Sequence, residues 1–291
     1  MNLVIFAPCP KASAIGRMTQ MVVKELCGDG HSVSVVCTES AENKRGARRD
    51  FGTPSMHWTD ADAVQAAIGS ADAVIYQIGD NFQYHEGSLY WLERQRGIVC
   101  LHDFFLGNLF CGWAQRERTR ASIVLQQWYG DEIARGYFGH ASSANFIAAT
   151  HEYAPLTEWV ASQASAVIAH SGWGMDRVLS ACPGPVRLVP LAYELAPGVC
   201  SPAEMPSRST ERMQVLTVGH VNPNKRAECV IRALGADQRL RESTSYTLAG
   251  AIQPDMRRGL EELANTFGVD LHILGEVSDQ ELRQLLSCAD V

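Results

Sequence analysis

The sequence predicts an α/β fold in which short buried strands alternate with helices around a parallel sheet, and it predicts that pattern twice. The observations behind this are few. Short apolar, β-rich runs recur between helical periodicities. A stretch rich in Pro, Gly and Ser interrupts the alternation once. The alternation then restarts and breaks off at Ala289-Asp290-Val291.

Taken in order, residues 3–6 form the first strand. A loop containing Gly16 leads into a helix that turns Met18, Met21, Val22 and Leu26 inward, and Gly28-Asp29-Gly30 stops it. Residues 33–37, 73–76, 98–101, 166–169 and 186–189 read as further strands. The stretch 104–150 carries no clear strand pattern and reads as helical, with an aromatic and basic insertion over 113–137. Pro197, Gly198, Ser201, Pro202, Pro206, Ser207 and Ser209 are linker chemistry. The predicted organisation is a first domain over 1–200, a linker over 201–210 and a second unit over 211–291. That unit holds strands at 215–218, 246–249 and 271–274, a helix through Val230 and Leu234, and another around Leu260 and Leu263. Ser278 and Glu281 form a capping box for a helix with Leu282, Leu285 and Leu286 on one face. Ala289-Asp290-Val291 reads as a turn into a further buried strand, so the expectation is an incomplete second domain in a chain cut from a longer protein.

Hydrophobic residues are 46% and charged residues 20% of the 291, enough apolar material for a sizeable core. The formal net charge of -7, from 32 acidic and 25 basic residues, argues against a general nucleic-acid binder. No apolar run reaches the length of a membrane span, and no signal-peptide pattern precedes the first strand. None of the nine cysteines is spaced C-x-x-C, so a zinc site is not expected. Several lie in apolar elements, where a reduced Cys acts as a small hydrophobe, and a cytoplasmic protein is the inference. Contact with the inner face of a membrane stays open. The basic run Lys44-Arg45-Gly46-Ala47-Arg48-Arg49 reads either as a solvated loop or as a surface for anionic head groups or an acidic acceptor. Arg116, Arg118 and Arg120 read as a helical packing surface or a second membrane-facing run.

Two Rossmann-like domains in series suggest ligands outside the carboxyl ends of the strands, so residues just after strands carry most weight. The most informative run is Val215-Leu216-Thr217-Val218-Gly219-His220-Val221-Asn222-Pro223-Asn224-Lys225-Arg226. A buried strand ends at Gly219, which allows a ligand close to the backbone. Lys225 and Arg226 stand just before a helix start, where free N–H groups and the dipole favour a phosphate. A strand-turn-helix with solvated cations accounts for the same spacing equally well.

This run resembles the phosphate-binding turn of GT-B glycosyltransferases of family 4, a retaining group. Gly219 and Lys225 match the pattern, while His220 stands where an Arg is usual and Arg226 where a Gly is usual. The resemblance extends to the opening strand, to Leu26-Cys27-Gly28-Asp29-Gly30-His31-Ser32-Val33, to Ile98-Val99-Cys100-Leu101-His102-Asp103, to Ala166-Val167-Ile168-Ala169-His170-Ser171, to Gly275-Glu276-Val277-Ser278 and to Ala289-Asp290-Val291. It implies an α/β GT-B fold, with two Rossmann-like domains facing a cleft and the second one incomplete.

It also implies roles. His102 would lie near the transferred sugar as the catalytic-site residue, whereas the residues alone favour a His capping its strand end. Gly16, Gly219, His220, Asn222, Lys225, Arg226, Glu276 and Val277 would contact the donor. Gly79, Asn81 and His85, in and after the turn Gln77-Ile78-Gly79-Asp80-Asn81, would face the acceptor or form a satisfied polar turn. The implied reaction moves a sugar from a nucleotide-diphosphate sugar to a hydroxyl acceptor, a polysaccharide or lipid precursor, with retention and without a metal or cofactor. The paired-Glu segment of that family would lie beyond Val291, so the chain alone is expected to be inactive. A sugar-nucleotide epimerase and a non-catalytic nucleotide-sugar-binding protein are the rival readings.

Overall fold

A computed structural model describes residues 1–42, 47–140, 142–192 and 212–291. The chain divides into two compact units, Met1–Glu194 and Leu195–Val291. The linker expected at 201–210 and the basic residues Lys44 and Arg45 lie outside the described residues.

The first unit runs β1 (Asn2–Ala7), α1 (Ala14–Gly28), β2 (Ser32–Cys37), β3 (Ser55–His57), α2 (Ala61–Gly69), β4 (Ala73–Ile78), α3 (Phe82–Leu92) and β5 (Ile98–Leu101). It continues through α4 (Gly107–Ala114), α5 (Arg118–Gly136), α6 (Ser143–Thr150), α7 (Thr157–Ala161), β6 (Ala166–Ala169), α8 (Met175–Ala181) and β7 (Val186–Leu188). The strands form one parallel sheet in the order β3-β2-β1-β4-β5-β6-β7. Strand order therefore reverses beside β1, as in a doubly wound sheet, so the carboxyl ends of β1 and β4–β6 frame one rim.

Strand alternation sends side chains to two cores. Val4, Phe6, Val74, Tyr76, Val99, Leu101 and Val167 face one side, under Leu89, Trp91, Leu109, Phe110 and Trp159 of the helices. Leu3, Ile5, Val33 and Val35 face the other, against Val23 of α1. The expected inward set of α1 shifts accordingly: Met18 and Val23 are buried, whereas Met21, Val22 and Leu26 are half-buried. Ile5 and Phe6 are wholly buried, each stabilising by roughly 1.5–3 kcal/mol relative to exposure. The stretch expected to be helical forms α4, α5 and α6, with α5 kinked at Gly130 (φ 83°). The arginines of that insertion are held by their own unit. Arg116 pairs with Glu86, Arg120 with Glu93 at 2.9 Å, and the Arg118 guanidinium lies 3.7 Å from the centre of the Phe138 ring. Strand β3, a short edge strand, was not anticipated; its pattern is too brief to register.

Cys100 and Cys182 are buried and free, as expected of small hydrophobes, but one pair departs from the reduced state. Cys9 and Cys37 are joined by a disulfide, with Cα atoms 5.3 Å apart. Parallel register sets Ala7 beside Cys37, so Cys9 folds over the end of the neighbouring strand. The sulfurs lie near buried Glu39, whose carboxylate accepts from Cys9 N–H at 3.1 Å and pairs with Arg48 at 2.8 Å. Arg49 donates to Gln20 Oε1 and to the Lys11 carbonyl. The described end of the basic run is thus built into the strand-end loops.

The second unit runs β8 (Met213–Val218), α9 (Ala227–Ala236), α10 (Gln238–Ser243), β9 (Thr244–Ala249), α11 (Pro254–Phe267), β10 (Asp270–Gly275) and α12 (Asp279–Cys288). Its parallel sheet has the order β10-β9-β8. Ile231, Leu234, Tyr246, Leu248, Leu260 and Ala264 form its core. The capping box at Ser278 and Glu281 is present as read from the sequence. Ala289-Asp290-Val291 leaves α12 and begins to pair with β8. Its backbone lies along β8, with Asp290 N–H donating to the Gln214 carbonyl and Leu216 N–H to the Val291 carbonyl, while the Val291 side chain is exposed. Among the described residues no helix is long and apolar enough to cross a membrane.

Candidate functional site

The rim of the first unit gathers a polar cluster at the ends of β4, β5 and β6. His102 follows β5 directly, and its N–H donates to the Ile78 carbonyl at 2.9 Å. Its ring Nε2 meets the Oε1 of buried Gln77 at 2.6 Å. Its centroid lies 4.9 Å from that of His170 at the end of β6. Burial lowers the His102 pKa to about 3, and the nearby His170 and His85 push the same way. His102 is therefore a neutral imidazole near pH 7, a hydrogen-bonding group rather than a resident cation.

His85 sits in α3, fully enclosed, with its pKa lowered by burial to about 4. Its Nε2 accepts from Gly79 N–H at 3.2 Å. A Cβ on Gly79 would come within 2.6 Å of Ile15 Cδ1 and 2.9 Å of Asp103 Oδ2, so this turn admits only glycine without movement. Asn81 is the N-cap of α3, its side chain accepting from Gln83 N–H at 3.0 Å. The structure thus brings Gly79 and His85 to His102 and gives Asn81 a capping role at the edge of the cluster.

Asp80 was passed over in the sequence. Its carboxylate accepts from Leu109 N–H at 2.8 Å and Asn108 Nδ2 at 2.6 Å, and its own N–H donates to Asp103 Oδ2 at 2.8 Å. Burial raises the Asp80 pKa to about 7; the bonds from Leu109 and Asn108 oppose this, and Asp103 adds to it. It lines a cavity of about 570 Å³ with Ser40, Asn81, Asn108, Gln115 and Arg116.

Gly16 departs from its expected place. It lies inside the first turn of α1, not before it, and its N–H donates to Ser13 Oγ at 3.0 Å in the N-cap. That amide is spent on the helix and is not offered to a ligand. Its glycine identity has a packing cause, since a Cβ there would lie 2.4 Å from the Pro8 carbonyl oxygen.

The rim of the second unit is built from glycines. Gly219, Gly250 and Gly275 close β8, β9 and β10 with φ of 101°, 153° and 77°. Gly219 N–H donates to the Ala249 carbonyl and Gly250 N–H to the Gly275 carbonyl, so the sheet ladder extends into the rim. A Cβ on Gly250 would lie 2.0 Å from the Gly219 carbonyl oxygen. The three positions keep the strand ends free of side chains, which lets a ligand reach backbone. Lys225 closes the turn Pro223–Lys225 and folds back over it, its Nζ 3.6 Å from where a Gly219 Cβ would stand. Lys225 N–H donates to the Asn222 carbonyl at 3.0 Å, and His220 is exposed beside Gly219. Arg226 is exposed and left-handed, φ 53°, at the N-cap of α9. Glu276 and Val277 follow β10 and line a separate cavity of about 380 Å³ with Leu274, Leu285 and Cys288. Their described surroundings are those of α12, not of Lys225.

No family model matches the sequence, and none of the curated proteins matches it. Solved structures do match in fold. Sucrose-phosphate synthase from Thermosynechococcus elongatus aligns at a TM-score of 0.59 and 12% identity, covering 99% of this chain and 73% of that one. A glycosyltransferase from Rickettsia africae aligns at 0.57 and 13%, covering 99% and 71%. Anabaena HepE, solved with UDP and glucose, aligns at 0.52 and 14%, covering 100% and 72%. The chain has the GT-B glycosyltransferase fold, an α/β architecture with one seven-stranded and one three-stranded parallel sheet.

Proposed function

We propose that the chain is a glycosyltransferase of the family 4 type, which moves a sugar from a nucleotide-diphosphate sugar to a hydroxyl of a carbohydrate or lipid-linked acceptor with retention at the anomeric carbon. The observation that carries the reading is the Gly219–Lys225 turn. An ammonium folded over a strand end without side chains, one residue from the start of α9, is suited to a diphosphate. The departing diphosphate gains negative charge as the glycosidic bond breaks, and a fixed cation stabilises that charge more in the transition state than in the ground state. His102, neutral and held by Gln77, is suited to accept a hydrogen bond from a sugar hydroxyl. Agreement in fold over nearly the whole chain with three glycosyl-transfer proteins adds support. The proposed chemistry needs no resident metal.

Product analysis tests this. The full-length protein is incubated with UDP-, GDP- and ADP-linked hexoses and a panel of glycoside and lipid-linked acceptors. Transfer supports the reading. Epimerised nucleotide sugar with no transfer, or binding without turnover even with acceptors present, would replace it with one of the rivals.

A further inference from the structure

We propose that His170 is a ligand-binding residue, a second hydrogen-bond acceptor beside His102, and that the two imidazoles together read one or two hydroxyls of a hexose. The inference rests on the glycosyltransferase reading and deepens it.

The placement follows from register. Cys100 pairs with Ile168 and Leu101 with Ala169, so residues 102 and 170 leave neighbouring strands on the same face. The rings meet at 4.9 Å with an interplanar angle of 42°. Hydrogen bonding then fixes both tautomers. His170 Nδ1 lies 2.8 Å from the Val189 carbonyl oxygen. A carbonyl only accepts, so Nδ1 carries a proton, and in the neutral ring Nε2 presents a lone pair. That Nε2 is buried and has no partner in the protein. For His102, Nε2 lies 2.6 Å from Gln77 Oε1, and an amide oxygen only accepts. His102 Nε2 therefore donates, and its Nδ1 holds the lone pair.

In the neutral tautomers that these bonds select, the two neighbouring rings each present an acceptor. A buried acceptor without a donor is costly, and a carboxylate or phosphate cannot satisfy it. A hydroxyl can. The fitting ligand is a polyol such as a hexose, either the sugar of a donor or that of an acceptor.

The test uses the full-length protein with ¹⁵N-labelled histidine. Long-range ¹H–¹⁵N spectra should show His170 protonated at Nδ1 and His102 at Nε2. Titration with UDP-glucose should shift the unprotonated nitrogens of both rings if the donor sugar is read; methyl glucoside should do so if the acceptor is read; UDP alone should not. His170→Asn keeps a donor for Val189 and deletes the acceptor at Nε2. It should weaken binding of the responding sugar about tenfold or more and leave UDP binding unchanged, while His170→Gln should recover part of the loss. An Nε2–H tautomer at His170, or a sugar response that His170→Asn leaves intact, would overturn the inference alone. If UDP, GDP, ADP and their hexose conjugates all fail to bind, the glycosyltransferase reading falls and this inference with it.

Discussion

His102 and Asp80 stand at one rim, and burial acts on them in opposite directions. The folded-state pKa of His102 is lowered from 6.5 to about 3, so its contribution is intact above pH 6.5 and is lost as pH falls toward 3. Asp80 is raised from 3.8 to about 7, so its contribution is intact below 3.8 and is lost as pH rises through 7. The first unit should therefore lose stability on both sides of a mildly acidic optimum. His102→Asn should melt higher than wild type at pH 4.5, by about 2 kcal/mol, and Asp80→Asn should do so at pH 8. Thermal melts across pH would expose an error: parallel profiles for wild type and both variants mean that neither group is buried as described. Arg226 is a residue-scale case of another kind. It occupies a left-handed conformation that costs a side chain roughly 1–2 kcal/mol, at a position where the resembling family carries Gly. Arg226→Gly should therefore stabilise the second unit by about 1 kcal/mol in denaturant unfolding.

At the scale of elements, the strands were readable because their burial is continuous. Residues 98–101 and 166–169 coincide with β5 and β6, and the remaining long strands differ at their ends. What stayed hidden depends on register. Whether His102 meets His170, or Cys9 meets Cys37, follows from which strands pair and by how many residues they are offset, and one strand shows neither. Alternation along β5 and β6 would have placed residues 102 and 170 on one face once the two were known to be neighbours. Gly250 was legible as a Gly after a strand and was passed over; its meaning, a backbone pressed on Gly219, appears only with β8 and β9 side by side. Gly250→Ala adds a Cβ 2.0 Å from backbone oxygen at a φ that favours glycine, and should cost 3 kcal/mol or more in urea unfolding, roughly the cost of a core truncation. The Cys9–Cys37 bond closes a separation of 28 residues, which corresponds to about 3–4 kcal/mol of chain-entropy stabilisation. Peptide mapping without reductant should recover the linked pair. Dithiothreitol should lower the melting temperature of wild type and leave that of Cys9→Ser unmoved; an unchanged wild-type melt would exclude a stabilising bond.

At the scale of the whole molecule, net charge sets the background for any phosphate ligand. With a formal charge of -7 and a sequence pI near 5.7, the chain repels a nucleoside diphosphate at long range. Binding then has to come from local placement of cations and N–H groups, not from the overall field. Lys225 is such a cation under the proposed function, and its distance from Gly219 is fixed by the short turn between them. In the full-length protein, Lys225→Ala should lower the rate of sugar transfer by roughly 2–4 kcal/mol in transition-state terms and weaken donor binding by less, because the diphosphate gains charge only as the sugar departs. Lys225→Arg should recover part of the rate, since a planar fork is a poor replacement for a compact ammonium. Arg239→Ala, on exposed α10, makes the same change in net charge away from the turn and should leave rate and binding unaltered. If the two alanine variants fall together, the effect belongs to the field of the whole protein. If neither falls at saturating donor, Lys225 is a solvated turn residue and the diphosphate reading of the Gly219 strand end is wrong.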